Sequence, residues 1–208
     1  IGLMVFLALS IVHFGLGDAR AYPDCPNLPL RSFIHGGGVI VLILTFHKNE
    51  VMTIFRLLTD GQSELLEGGL VFLGLIWLVA LAGYVSLYAR KNIPFALPLL
   101  EILCLASCFY LLPPLWGFAV YFCLVHSPRH FRRLFADYGN SRNTFADILQ
   151  IITLSALTIT AMLVTAQMLP DLDYTNNLVR TVFIGLAALT VPHMVLVDAL
   201  PAWYRKEG

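Results

Sequence analysis

Six histidines are the residues of this chain whose type and spacing could hold a transition metal. They are His13, His35, His47, His126, His130 and His193. His126 and His130 are four residues apart, so on a helix they share one face and both imidazoles can reach a single ion. Imidazole suits Zn, Cu, Fe and Ni, and an all-histidine site with open positions suits non-haem Fe(II) that must bind O2. The spacing therefore predicts a histidine-bound metal.

Three carboxylates stand near these histidines or deep in an apolar segment. Asp18 follows His13 by five residues, and Asp198 follows His193 by five. A carboxylate often accepts the second N–H of a ligating imidazole and fixes its tautomer, although both aspartates could instead cap helix ends at the headgroup level. Glu101 is the deepest acid, in LPLLEILCL. It could be a ligand, an acceptor behind a ligand, or a neutral packing carboxyl.

The composition places these residues in a membrane protein. Of 208 residues, 58% are apolar and only 12% are charged, about half the charged share of typical soluble domains. The mean hydropathy is +0.78. The 13 basic and 13 acidic residues cancel, so no basic field attracts nucleic acid. We therefore expect an all-α integral membrane protein, with 1–208 as one polytopic catalytic domain, and exclude soluble enzymes, disordered chains and soluble nucleic-acid binders.

Apolar segments predict about seven transmembrane helices, some of them short or broken, since a bilayer core needs about 20 apolar residues per helix. The segments are 1–17, 34–47, 66–88, 95–112, 115–126, 144–169 and 178–199. Three prolines predict a non-helical loop over 20–31, and Pro113-Pro114 separates the fourth segment from the fifth. Residues 48–64 predict a short amphipathic helix at the interface. The chain is apolar from Ile1, so we expect that the sequence begins in the middle of a hydrophobic helix and is N-terminally incomplete.

The positive-inside rule orients these segments. Alternating sides puts ten of the 13 lysines and arginines on one side, which predicts that side to be cytoplasmic in a multi-pass protein of the cell's inner membrane. Five of the six histidines converge at that level. His47 lies at the opposite level, and we expect a structural role for it. The glycines Gly36, Gly37 and Gly38 after His35 predict a close helix approach.

Five motifs together resemble one family. They are HFGLGD (13–18), HGGGVIV (35–41), KNEVMTIFRLLTDG (48–61), YFCLVHSPRHF (121–131) and TVFIGLAALTVPHMVLVD (181–198). In this order they resemble the Brp/Blh family of bacterial and archaeal membrane β-carotene 15,15'-dioxygenases, which are found alongside microbial rhodopsins. The resemblance implies an iron enzyme that cleaves β-carotene centrally with O2. Two all-trans-retinal molecules result, and this product would pass to a microbial rhodopsin.

The resemblance also implies the iron ligands. In the family, Fe(II) is thought to be held by four histidines, one in a PHGxxD motif, one in HFGxxD and two in HSxRH. The last three histidines match His13, His126 and His130. The PHGxxD motif is absent, and its place would be upstream of Ile1. Either the sequence is a fragment, or it is a variant whose fourth ligand is His35 or His193.

β-Carotene is a lipid-soluble hydrocarbon without a charged group, so recognition must rest on shape and apolar contact in a tunnel. The aromatic residues nearest to the motifs are the candidates for lining it: Phe14, Tyr110, Trp116, Tyr121, Phe122 and Phe131. Two other functions stay open. One is a non-catalytic carotenoid- or retinal-binding protein of the same family. The other is a desaturase- or hydroxylase-like iron enzyme, which the absence of any His-His pair disfavours.

Overall fold

The structure is a computed structural model that describes residues 2–59, 61, 64–88, 96–138, 144–168 and 173–194. Every element in these ranges is helical, as the composition predicts. The α-helices are α1 (Gly2–Ala19), α2 (Leu28–Phe46), α3 (Lys48–Leu58), α4 (Glu64–Tyr88), α5 (Ala96–Leu111), α6 (Pro114–Tyr121), α7 (Ser127–Tyr138), α8 (Thr144–Met168) and α9 (Tyr174–Met194), with a π-helical turn at Phe122–His126. The chain divides into two compact units, 1–135 and 136–208.

Each of the seven predicted apolar segments overlaps a helix, but their lengths differ. Among the described residues, three helices are long and apolar enough to cross a bilayer: Gly2–Ala19, Leu28–Phe46 and Glu64–Ser86. Ala96–Leu111 and Ile152–Met168 are apolar but shorter. Membrane-spanning character is therefore supported for three helices, and the count of seven stays a prediction.

The predicted loop over 20–31 is wrong at its C-terminal end, because α2 begins at Leu28. Pro29 lies in the first turn of this helix, where the missing N–H of proline has no helical partner to lose. Asn27 caps the helix, and its side-chain oxygen accepts a hydrogen bond from the Leu30 N–H at 3.4 Å. Proline disrupts the interior of a helix, but it is compatible with the first turn.

The centre of the first unit is the close pair of α1 and α2. A Cβ atom at Gly15 would overlap the carbonyl oxygen of Ser32, and one at Gly36 would overlap the carbonyl oxygen of Ile11. Only glycine allows two helix backbones to approach this closely, as the glycines after His35 predict. The contact packs HFGLGD against HGGG.

Helix α4 packs on the same glycine-rich surface of α2. The Trp77 indole N–H donates a hydrogen bond of 2.8 Å to the Ile34 carbonyl oxygen, and the indole ring contacts Gly37 and Gly38. A larger residue at either glycine would push the ring away. The indole therefore anchors α4 next to the start of the HGGG motif.

The predicted amphipathic helix is present and shorter than expected, since α3 ends at Leu58. Its apolar side joins a small core made of Val51, Met52, Phe55, Leu66 and Leu70. Lys48 and Glu67 close the polar side with an ion pair of 2.7 Å. His47 precedes the helix, and its Nε2 atom lies 2.8 Å from the Phe109 carbonyl oxygen. This contact between helices agrees with a structural role for His47.

The second unit contains α8 and α9, which pack against each other. The prediction places the start of the seventh segment too late. It gives residue 178, whereas α9 begins at Tyr174. Residues 195–199 of that segment lie outside the described part of the chain. Pro192 lies inside α9, close to His193.

Candidate functional site

His13 and His126 form a buried pair between α1 and the π-helical turn. Their Nε2 atoms are 3.2 Å apart, and their rings meet edge to face with centroids 5.0 Å apart. The exposed fractions are only 7% and 4%. Two imidazoles that bind one ion at about 2.1 Å and at a right angle have nitrogens about 3 Å apart. The pair therefore fits two neighbouring ligands of one metal ion.

The π-helical turn that carries His126 has a local cause. The Ser127 N–H bonds the Phe122 carbonyl five residues back, and Pro128 then has no N–H to continue the ladder. A π turn inserts one extra residue into a helical register and is found often at functional sites. In this chain it ends at the residue that faces His13.

His130 lies one turn beyond His126, as the spacing predicts. The two rings are nearly parallel, with an angle of 10° and centroids 6.3 Å apart. Across the described ranges, however, no group of three or more histidine, cysteine or carboxylate side chains is arranged to hold a metal. The structure thus brings two of the three proposed ligands together and stacks His130 beside them.

Asp18 is fully buried and lies next to His126. Its Oδ2 atom accepts a hydrogen bond of 2.7 Å from the Tyr121 hydroxyl. Its Oδ1 atom lies 3.3 Å from Arg129 Nη1 and 3.9 Å from His126 Nδ1. The His126 Nδ1 atom is buried and has no hydrogen-bond partner. A carboxylate at this position can fix the tautomer of the imidazole.

Glu101 has donors on both of its oxygens. Arg129 binds it with both ends of the guanidinium, at 2.5 Å from Nη1 to Oε1 and 2.9 Å from Nη2 to Oε2. The Tyr22 hydroxyl donates a third hydrogen bond of 2.5 Å to Oε2. Of the three roles open to Glu101, this arrangement favours an acceptor that holds other side chains.

Arg129 and Tyr22 are residues that sequence reasoning missed. Partial burial, together with the hydrogen bond to Glu101, raises the pKa of the Tyr22 hydroxyl to about 12. Burial lowers the pKa of Arg129, but the hydrogen bonds and charge of Glu101 outweigh it and raise that pKa overall. Arg129 stands between the two histidines of HSPRH, which is a signal that could have been used. Tyr22 lies 79 residues from Glu101, and no spacing reveals that contact.

The other proposed ligands occupy different surroundings. His35 is 1% exposed, neither of its ring nitrogens has a hydrogen-bond partner, and its ring stacks on Tyr22 at 6.1 Å. Its Nδ1 atom lies 4.0 Å from Glu101 Oε1. His193 lies on α9 in the second unit, and Asp198 lies outside the described residues.

The six candidate tunnel residues separate into two groups. Phe14 meets the His126 ring edge to face at 4.8 Å, Phe122 stacks on it at 5.7 Å, and Tyr121 is buried beside it. The remaining three have large exposed fractions: Tyr110 with 67%, Trp116 with 69% and Phe131 with 42%. The first group makes an apolar wall around the histidine pair, and the tunnel itself stays a prediction.

Comparison with known proteins decides the family. A family model described as "Beta-carotene 15,15'-dioxygenase" matches residues 1–201. The chain belongs to the β-carotene 15,15'-dioxygenase family. A curated "Beta-carotene 15,15'-dioxygenase" of an uncultured marine bacterium, 66A03, is 37% identical over 203 residues, which cover 94% of this chain and 70% of the relative. No solved structure matches.

The resemblance of the five motifs is thereby confirmed for the β-carotene 15,15'-dioxygenase family. The family match includes the HFGLGD and HSPRH motifs, and so it includes His13, Asp18, His126 and Arg129. The buried site described above therefore lies within the part of the chain that the family shares.

Proposed function

We propose that this chain catalyses the central cleavage of β-carotene with O2, at the 15,15' double bond, to give two all-trans-retinal molecules. The observation that supports it most is the buried His13–His126 pair within the region that the dioxygenase family model matches. The 37% identical relative is named a "Beta-carotene 15,15'-dioxygenase", which supports cleavage at that bond. An enzyme of this kind needs an oxygen-binding centre surrounded by apolar side chains, and the pair with Phe14 and Phe122 meets that need.

Fe(II) is the proposed cofactor, with His13, His126 and His130 as its ligands. The Nε2 separation of 3.2 Å in the His13–His126 pair supports two of these ligands. His130 is the proposed third because it lies one turn along on the same motif. His35 and His193 are the candidates for a fourth. Bound iron would supply the activation of O2, which protein side chains do not provide themselves.

The side chains of this chain would position the substrate and exclude water. The rings of Phe14 and Phe122 contact the His126 ring and offer flat apolar surfaces to a conjugated hydrocarbon. The low exposure of the histidines keeps bulk water away from the reacting double bond. Arg129 pairs with both Asp18 and Glu101, so one cation compensates part of the negative charge of two carboxylates.

The membrane is the proposed site of action. Three helices of sufficient length and apolar character support membrane association, and a lipid-soluble substrate can then enter laterally. We propose a multi-pass protein of the cell's inner membrane whose retinal product passes to a microbial rhodopsin.

Pigment conversion in cells that accumulate β-carotene tests the function. The whole gene product should remove β-carotene and yield a single C20 aldehyde, since only the 15,15' bond divides the molecule into identical halves. His13→Ala should abolish conversion. His47→Gln, which keeps a donor for the Phe109 carbonyl, is the matched control and should retain conversion.

Chromatography of the pigment extract distinguishes the alternatives. Intact β-carotene that co-purifies with the protein would replace the proposal with a non-catalytic binding function. Longer apocarotenals as the main products would contradict central cleavage.

A further inference from the structure

Arg129 connects two buried carboxylates that come from different helices. Its Nη1 atom lies 3.3 Å from Asp18 Oδ1, and its guanidinium binds Glu101 with two hydrogen bonds. Asp18 is at the end of α1 and 0% exposed, and Glu101 is on α5 with 10% of its side chain exposed. Arg129 therefore ties α7 to α1 and α5 at the depth of the histidine pair.

We propose, on the basis of the proposed metal site, that Arg129 is a positioning residue for His126. Glu101 holds the guanidinium, the guanidinium holds the Asp18 carboxylate, and the carboxylate favours the proton on His126 Nδ1. The Nε2 lone pair of His126 then faces His13. Nothing in the sequence motifs assigns this role to an arginine.

The contacts of Asp18 carry the first step of this inference. Tyr121 fixes one carboxylate oxygen, so the other oxygen stays between Arg129 and His126. The His126 Nδ1 atom is buried, and the 3.9 Å to Asp18 Oδ1 is longer than a hydrogen bond. A buried N–H without an acceptor is destabilising, and this cost is removed when the carboxylate accepts it. This carboxylate is therefore the group that can stabilise the tautomer with the proton on Nδ1.

The contacts of Glu101 carry the second step. A two-point bond to a carboxylate fixes the plane of a guanidinium, whereas a single ion pair does not. The Arg129 guanidinium also lies 5.7 Å from the centre of the Tyr22 ring, and Tyr22 bonds the same carboxylate. Arg129 is thus held from two sides, and Asp18 meets a fixed cation.

Arg31 provides a matched control, because it is a buried arginine near the same end of α1. Its side chain donates hydrogen bonds to the main-chain carbonyls of Ala19, Tyr22 and Pro26 and, within the described part of the chain, to no carboxylate. Its loss should loosen the loop between α1 and α2 without changing the acceptor at His126. The two arginines therefore separate a general structural role from a positioning role.

The test is nitrogen NMR of the metal-free whole protein with 15N-labelled histidine, combined with Co(II) titration followed by visible absorption. In the native protein the signals of His126, assigned by their absence in His126→Ala, should show the Nδ1–H tautomer. Arg129→Gln should shift them towards the Nε2–H form and weaken Co(II) binding by about 10–100-fold, as loss of a partner behind a ligand does. Arg129→Lys should fall between the two, and Arg31→Gln should stay within about twofold of native.

Each outcome decides for or against the positioning role. An unchanged His126 pattern in Arg129→Gln, a native protein in the Nε2–H form, or an equal effect of Arg31→Gln overturns it. Should Arg129→Gln fail to fold, Glu101→Gln leaves the arginine in place without its anchor and should move His126 in the same direction. Absence of Co(II) binding by the native protein would count against the proposed metal site alone, since the tautomer is read without metal.

Discussion

His126 is the residue on which the candidate site depends most, because its two ring nitrogens face different partners. Nε2 faces His13, and Nδ1 faces Asp18. His130 shares its motif and stacks on the His126 ring. The structure therefore shows which partner each nitrogen of His126 faces, which the sequence spacing alone does not show.

Metal content tests the ligands one residue at a time. The purified whole protein should contain near-stoichiometric iron, and His126→Ala and His130→Ala should each lose most of it because each removes a proposed ligand. His47→Gln should keep it. Elemental analysis that finds zinc instead, or iron retained after both alanine substitutions, would contradict the iron site.

Tyr22→Phe gives a pH-dependent change in stability. The folded pKa of Tyr22, about 12, is above its ordinary value near 10, so its hydrogen bond to Glu101 contributes fully below pH 10 and is lost as the pH rises through 12. Because Tyr22 is only partly buried, we expect a loss of about 1 kcal/mol at pH 7–9. Thermal unfolding should show this difference shrinking between pH 10 and 12, and a constant difference across that range would refute the assignment.

At the scale of elements, the contact between α1 and α2 depends on glycine at two positions where the backbones nearly touch. Gly36→Ala would drive a methyl group into the Ile11 carbonyl, which lies in backbone that cannot rotate away. We expect the free energy of unfolding to fall by about 3 kcal/mol, the upper end of the range for core overpacking. Gly83→Ala on α4 is the control, because a Cβ there meets nothing within 4 Å, and it should be neutral or stabilising by up to about 1 kcal/mol.

Thermal unfolding of the two variants in the same detergent makes that comparison. Equal midpoints for Gly36→Ala and Gly83→Ala would mean that the close approach of α1 and α2 is not maintained in the membrane protein. Loss of iron in Gly36→Ala alone would connect the helix contact to the position of His13.

The sequence predicts the helices better than it predicts the contacts between them. Apolar runs locate the helices because membrane burial needs a continuous apolar surface. Two contacts join residues that are far apart in the chain: Tyr22 with Glu101, and Asp18 with His126. Local sequence spacing cannot predict such contacts. Pro128 shows an intermediate case. Its position signals a disturbance of the helix, but the π-helical turn that results becomes visible only in the backbone.

At the scale of the whole molecule, the distribution of charge predicts which side of the membrane each end of the chain occupies. Ten lysines and arginines fall on one side of a seven-span arrangement and three on the other, out of 13 in the chain. In this prediction the HSPRH segment and the C-terminal tail both lie on the richer side, which the positive-inside rule assigns to the cytoplasm. An odd number of membrane crossings between these two segments would put them on opposite sides of the membrane. The two spans predicted after HSPRH return the chain to the same side.

Reporter fusions after Arg142 and after Gly208 test this arrangement, and both should give a cytoplasmic signal. A fusion after Lys48, at the start of α3, serves as the control and should give the periplasmic signal. A periplasmic signal at Arg142 with a cytoplasmic one at Gly208 would mean that only one of the two later helices crosses. The histidine pair would then lie at the periplasmic level. Product retinal would be released near the periplasmic leaflet, whereas the seven-span prediction places its release near the cytoplasmic leaflet.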